Sequence, residues 1–423
     1  MRKGKRWLAA AVSAAMIVQS LASVGPVYAA DDGVSIADTF TDSSFRSYVS
    51  SNFDTDSNGY LSDAEISNVT SIDVSKCSPA ISSLNGVELF TNLSKLDCNE
   101  QSIRNLDIEN LENLEYIDVS SNRIDSLTLP VSAEKLTYLD ISGNKITSLT
   151  SLADYNNLVL LNANSTNLSS IDVSNMKGLK VLGVSGTTIS TLDLGSNMEL
   201  TTLYCDSMRS LPVLDVSGHE KLKNLYCAGA KSDSGVVVRS SITKLDVSGD
   251  IVLGSLDCSN SYVAELNIDN TPALTTLDCS NTRLTSIDVS KNTSLSYLDV
   301  SSNVLGAVDF TANTALRELY VKDTGINKLD VSTLTNLVNL DASSNSLAEL
   351  DIVSNSLLEK LYISDNNIQG IKLDGHPDLK ELEIDNNNLV AIDISVCPKL
   401  YGDDGVFSCS GNSRDITLDT TNY

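Results

Sequence analysis

"TTLDCSNTRLTSIDVSKNTSL" spans Thr275–Leu295 and is followed directly by "SYLDVSSNVLGAVDFTANTAL", Ser296–Leu316. The two stretches have equal length, and their apolar residues fall at matching places. Leu256, Leu277, Leu298, Leu319, Leu340, Leu361 and Leu382 keep a spacing of 21 residues. Backwards, the series runs through Leu225, Leu203, Leu182, Leu161, Leu139, Ile117 and Leu96, at spacings of 21 or 22 once the gap from Leu225 to Leu256 is passed. That gap holds an extra "SDSGVVVRSS", Ser232–Ser241. A fixed period of this kind makes the chain a stack of like units, here fourteen turns.

Each turn divides into two similar halves. Leu277-x-Cys279 is followed by Leu284, and Ile287-x-Val289 by Asn292 and Leu295. Alternation over three or four residues is strand periodicity. Half a turn has no room for two turns and a helix. The expectation is a β-rich solenoid of flat coils, with short parallel strands on two faces. One coil cannot bury its apolar residues, but a stack of coils forms a continuous core. At strand spacing, fourteen coils span roughly 65 Å.

The half-repeat pattern resembles the leucine-rich repeat family, in its short 21-residue class with nested half-repeats, from about Ile72 to Leu400. The repeat asparagine of the first half stands at Asn122, Asn144, Asn303, Asn345, Asn366 and Asn387. Thr166, Thr187, Thr282 and Thr324 replace it, and it is lost at Met208 and Ala230. Asparagine there ties down backbone within the turn, so looser turns are expected at Met208 and Ala230. The resemblance implies a leucine-rich-repeat superhelix that binds a protein or a host or cell surface, as internalin-like adhesins do. The expected layout is a leader at 1–30, a small helical cap at 31–71, repeats at 72–400 and a C-terminal cap at 401–423.

The leader is read from basic "MRKGKR", an apolar run, and "VYAA" before Asp31. Those are the parts of a secretory signal peptide. Later runs are too short to span a bilayer, so a secreted, extracellular protein is expected, in contact with the cell surface or released from it. The full chain carries a net charge of −26. Removal of Arg2, Lys3, Lys5 and Arg6 with the leader leaves 25 basic against 55 acidic residues, or −30. Such a surface repels nucleic acid and anionic lipid. It suits cations, basic partners or solubility.

Ahead of the repeats stands "DTDSNGYLSDAE", Asp54–Glu65. Its spacing fits the EF-hand calcium loop. Asp54, Asp56 and Asn58 would supply side-chain oxygens, Tyr60 its carbonyl, Ser62 a direct or water-mediated ligand, and Glu65 two oxygens, with Gly59 at the sharp turn. Phe45, Tyr48, Val49 and Phe53 form one face of an entering helix, and Ser62 caps the exiting one. A lone hand cannot pair with another to open a groove. One structural calcium ion, folding the cap onto the first coil, is the expectation.

Eight cysteines in an exported chain raise the question of disulfides. Cys205, Cys227, Cys258 and Cys279 hold one inward position on successive turns, and Cys98 matches them, so they read as buried core thiols. Cys397 and Cys409 lie where the core needs closing, and a cap disulfide between them is one of two options. Cys77 has no evident partner.

The chain has no nucleophile elbow, zinc box or phosphate loop. His219 and His376 fall at the asparagine position of the second half and read as asparagine substitutes. Asp172, Asp193, Asp215, Asp246, Asp288, Asp309, Asp330, Asp351 and Asp393 recur as the D of "LDVS", which points to a turn or solubility role. Positions that vary from coil to coil are better candidates for binding. The residues flanking the first-strand leucine include Tyr116, Tyr138, Leu160, Val181, Tyr204 and Tyr226, read as one aromatic and apolar strip. Asp257, Asp278 and Asp299 follow as an acid row that calls for a cation or a basic partner. The reading is a monomeric, non-enzymatic recognition protein. A carbohydrate-binding protein using the Tyr/Asp strip is the alternative, and an unrecognised secreted hydrolase a further one.

Overall fold

The computed structural model describes residues 33–149, 152, 155–231, 236–412 and the backbone of 417–419. The leader at 1–30 lies outside them. One parallel sheet of 16 strands runs from Ser71–Asp73 to Val406–Ser408. Register is kept coil by coil: Leu277 pairs with Leu298 and Leu298 with Leu319. Each central leucine of these strands is fully buried. The sequence count of fourteen coils falls short by two. Ile72 pairs with Leu96, and Phe407 with Leu382, at separations of 24 and 25 residues that a period of 21 hides. The sheet therefore extends past Leu400 into the stretch expected to be a cap.

After each first-face strand the chain must bend away from the sheet. The residue two places beyond the inward Cys279, Val300, Ala342 and Ile363 is Asn281, Ser302, Ser344 and Asp365, each with a positive φ of 52–58°. The repeat asparagine comes next and locks that bend. Asn303 donates from Nδ2 to the carbonyls of Cys279, Val300 and Ser301, at 2.9, 3.0 and 3.3 Å. Its Oδ1 accepts from the Leu284 amide at 3.0 Å. At Met208 the side chain is fully buried and its sulfur accepts from the Thr187 hydroxyl. At Ala230 the inserted segment begins as a small hairpin, with Ala230–Lys231 paired antiparallel to Val237–Val238.

The second face carries strands in three short ladders. They are Asn105–Asp107 with Ser126–Thr128, Val213–Asp215 with Lys244–Asp246 and Glu265–Asn267, and Ala391–Asp393 with Thr417–Asp419. The nine aspartates of the "LDVS" position all serve as turn closers. Each accepts at Oδ1 from the backbone amide two residues on, as Asp288 does from Ser290 at 2.9 Å and Asp309 from Thr311 at 2.9 Å. Among the described residues, no helix is long and apolar enough to cross a membrane.

The N-terminal end of the core is closed by strand β1 (Val34–Ser35), helices α1 (Ile36–Thr39) and α2 (Ser43–Asn52), strand β2 (Tyr60–Leu61) and helix α3 (Asp63–Asn68). Phe40, Phe45, Phe53 and Phe90 form an aromatic plug with ring centroids 5.3–6.0 Å apart. Phe40, Phe45 and Phe90 are fully buried.

Candidate functional site

The acidic loop joins α2 to α3. Asp42 caps α2 by accepting from the amides of Ser44 and Phe45 at 2.9 and 3.1 Å. Phe45 and Val49 bury one helix face, with Tyr48 and Phe53 half-buried beside them. The carboxylate oxygens of Asp54, Asp56 and Glu65 lie within 4.8 Å of one another. The loop is drawn tight by its own amides. Asn58 N donates to Asp54 and Asp56 at 3.1 Å each, and Gly59 N to Asp54 at 3.0 Å. Gly59 sits at φ +85°, a turn that favours glycine. The Asn58 side chain accepts from Tyr60 N at 2.7 Å, and the Tyr60 ring is exposed.

Glu65 does more than its place in a calcium loop requires. Ser62 accepts from Glu65 N at 3.3 Å and Glu65 accepts from Ser62 N at 2.9 Å, a closed capping box on α3. The other oxygen of Glu65 accepts from the hydroxyl and amide of Thr55, at 2.6 Å each. The Thr55 hydroxyl and the amides of Ser62 and Thr55 hold this carboxyl down to about 2. In an EF-hand pair, the short strand of one loop would meet that of the other. Here β2 pairs with β1 instead, Ser35 opposite Tyr60 and Val34 opposite Leu61. The donor set is all oxygen, which suits a hard cation, and three carboxylates converge. Asp54, Asp56, Asn58, the Tyr60 carbonyl, Ser62 and Glu65 fit such an ion.

On the first face, two outward columns flank the buried leucines. Tyr116, Tyr138, Leu160 and Val181 share the column before the leucine, but Val181 lies opposite Thr202 rather than Tyr204. Tyr204 and Tyr226 belong to the column after it, where Tyr204 faces Gly183. The single strip expected from the sequence is therefore two patches, offset by two residues along the strand. Tyr116 and Tyr138 stack at 4.2 Å and 11°. Tyr204 and Tyr226 stack at 5.1 Å and 5°.

The acid row continues the second column. Asp257, Asp278 and Asp299 lie in register and are half-buried. One oxygen of each is already committed, accepting from the amides of Ser259, Ser280 and Ser301 at 3.0, 2.9 and 2.8 Å. Burial pushes Asp278 up to about 6 against these bonds, with Asp299 and Asp257 adding repulsion. Burial raises Asp299 as well.

Sequence reading passed over three features of this region. The rings of Tyr297 and Tyr320 meet at 5.5 Å and 44°, and Tyr362 lies two coils beyond Tyr320. Their signal was the two 21-residue columns flanking the leucine, in which Tyr297, Tyr320 and Tyr362 stand, but the candidate row ends at Asp299. The third feature is a clasp. Arg239, at the end of the insertion, reaches across to the carbonyls of Ser261 and Asn281. Arg239 and Arg283 lie over the Tyr262 ring at 5.6 and 4.2 Å.

The four ladder thiols are fully buried and form no disulfide. Burial raises Cys258 and Cys279, and Cys227 is raised by a thiol–thiol hydrogen bond with Cys205 as well as by burial. The bridge considered between Cys397 and Cys409 is not formed, since both are free thiols. Cys409 follows the strand Val406–Ser408 and takes the inward ladder position. Cys397 takes the asparagine position of the second half, its Sγ near the Leu373 carbonyl. The two thus occupy different corners of the coil. His219 and His376 are buried, with both ring nitrogens at backbone carbonyls 2.7–3.2 Å away. They act as the asparagine substitutes expected.

Comparison with known families and structures agrees with this geometry. Models described as leucine-rich repeats match residues 112–154 and 291–309. A search of curated proteins finds no match. Among solved structures, the chain is similar to the functional domain of InlJ from Listeria monocytogenes, at 31% identity and TM-score 0.73, covering 87% of this chain and 79% of that one. That domain includes a cysteine ladder, as this chain does. The fold is shared with YopM from Yersinia enterocolitica (21% identity, TM-score 0.59, 83% of this chain and 73% of that one). It is shared also with a Leptospira interrogans leucine-rich repeat protein (20%, 0.53, 77% and 91%). Fold and repeat pattern together define a leucine-rich-repeat solenoid scaffold. The chain belongs to the leucine-rich repeat family, in its bacterial internalin-like branch.

Proposed function

We propose that this chain is an exported, non-enzymatic recognition protein that binds a protein partner on a cell surface. The observation that carries this reading is the stacked pair Tyr204–Tyr226, which breaks the polar habit of its column. Gly183 precedes the pair, and the inserted hairpin of Ala230–Val238 begins four residues after Tyr226. Half-polar, rigid tyrosines suit protein interfaces. The internalin-like kinship supports a surface role, and the basic and apolar leader supports export. Calcium, bound by Asp54, Asp56, Asn58, Tyr60, Ser62 and Glu65, serves in this reading as a structural ion that braces the cap. The acid row steers the approach of a basic partner.

The test is capture from cell-surface extracts with the chain from Asp31 onward, as wild type and as Tyr204→Ala/Tyr226→Ala. A protein captured by the wild type and lost with the double variant supports the reading. Hits on a glycan array with no protein capture would replace it by carbohydrate binding.

A further inference from the structure

The patch beyond the acid row has a composition of its own. From Asp278 to Glu383 the second column reads Asp278, Asp299, Tyr320, Asp341, Tyr362, Glu383, one residue per coil. Tyr320 therefore stands between two aspartates, and Tyr362 between Asp341 and Glu383. Each phenol is anchored by a carboxylate. The Tyr320 hydroxyl donates to Glu318 at 2.8 Å, and that of Tyr362 to Glu381. Lys360 is the one basic residue on the two outward columns of these coils, and its Nζ is spent on Glu381 at 2.7 Å. Within these two columns the carboxylates outnumber it.

Ring geometry separates this patch from the other two. In the Tyr116–Tyr138 and Tyr204–Tyr226 pairs, near-parallel stacking covers one face of each ring. Tyr297 and Tyr320 meet at 44°, so neither ring lies flat against the other. A cation is attracted to a ring face and not to its edge. Anchoring the hydroxyl on a carboxylate fixes the ring and adds electron density to it. The aspartates keep Oδ2 available, since Oδ1 is the atom that accepts from Ser280, Ser301 and Ser343.

We propose that this patch binds arginine side chains of a polypeptide partner, with the guanidinium on Tyr320 or Tyr362 and its N–H groups on the flanking aspartates. The idea rests on the protein-recognition reading above and names the partner's chemistry. Arginine fits better than lysine because its plane can lie on a ring while its edge reaches a carboxylate.

The probe is a tetra-arginine amide, measured by calorimetry at about 150 mM salt so that diffuse attraction is screened. The controls are tetra-citrulline, its neutral isostere, and tetra-lysine. Tetra-arginine should bind the wild type and tetra-citrulline should not. Tyr320→Leu/Tyr362→Leu, which keeps apolar bulk and removes the ring faces, should weaken tetra-arginine about tenfold or more. Tyr116→Leu/Tyr138→Leu should leave it unchanged. If the first double variant melts early, Asp341→Asn supplies the same test at one carboxylate between the two rings. Equal binding of tetra-lysine, or undiminished binding by the leucine variant, would overturn the proposal. Partner capture through Tyr204 and Tyr226 with no tetra-arginine binding would overturn it while leaving the recognition reading intact.

Discussion

His219 donates its backbone amide to Oδ1 of Asp250, one coil on, at 2.8 Å, and the other carboxyl oxygen of Asp250 is buried without a hydrogen-bond partner. Four other coils place Asn197, Asn292, Asn313 or Asn355 there, each donating from Nδ2 to carbonyls of the preceding coil. A carboxylate has no proton to donate. Burial pushes Asp250 up to about 8, with repulsion from Asp246 and Asp215 added and the His219 amide opposing. The folded chain therefore keeps a proton that the unfolded chain releases near 3.8. Folding is favoured by this group below that lower value, and the contribution drains away as pH rises to about 8. Asp250→Asn should raise stability at pH 8 by about 1–3 kcal/mol and flatten the pH dependence above 4. Thermal melts of both proteins across pH 5–9 would reveal it. Parallel curves would refute the account.

The first-half ladder should be more costly to break than any surface contact. Asn303 is buried and serves three carbonyls and the Leu284 amide. Asn303→Ala strands several of these groups away from water. The expected loss is roughly 2–3 kcal/mol, read from urea melts. Asn303→Thr should recover part of it, because Thr282 and Thr324 already hold this position and donate to the carbonyls of Cys279 and Val321.

Much of this architecture was legible because a repeat writes the same physics many times. Leu277 and its counterparts mark the buried register, and Asp288 and its counterparts mark the turns. What escaped was whatever departs from the period. The coils at Ile72 and Phe407 are spaced too widely to be counted. The Tyr116–Tyr226 strip looked continuous because two columns on one strand read alike until the register sets Val181 opposite Thr202. The arginine clasp on Tyr262 needed the path of the insertion, which no periodicity encodes.

Calcium should stabilise the cap. An ion bound by the folded loop alone adds RT ln(1 + [L]/Kd) to stability. EDTA should lower the melting temperature of the wild type. Glu65→Ala should abolish that response and also destabilise the calcium-free protein, because it opens the capping box and frees Thr55. Asp56→Ala leaves both in place and isolates the ion. With Glu65 held down to about 2, its contribution is present above its ordinary value of 4.5 and lost as pH falls toward 2. Identical melts of the wild type with calcium and with EDTA would sink the ion.

The thiols of Cys205, Cys227, Cys258 and Cys279 should react with alkylating reagents after denaturation and not before, since they are fully buried. Half-buried Cys77 and Cys409 should react first. Cys258→Ser would bury a hydroxyl in an apolar column and should cost about 1–3 kcal/mol. Mass spectrometry that found a bridge within the ladder would contradict the disulfide-free column.

The partner surface can be mapped by comparing the two stacked pairs. Interface energy concentrates in a few aromatic anchors. Tyr204 is the more exposed member of its pair, at 38%, and its stack on Tyr226 holds the ring ready at little entropic cost. Tyr204→Ala should weaken partner binding by roughly 1–2 kcal/mol, chiefly through faster dissociation. Tyr226→Ala removes the support beneath it and should do nearly as much, so the double variant should fall short of the sum. Asp278→Asn/Asp299→Asn should slow association instead, and only at low salt. Because Asp278 is pushed up to about 6, it loses its charge as pH falls through that value, and association should slow in the same window. Asp330→Asn on the second face is the control. Unchanged affinity of a folded Tyr204→Ala/Tyr226→Ala protein would leave the pair as mere surface and move the search to the Tyr116–Val181 patch.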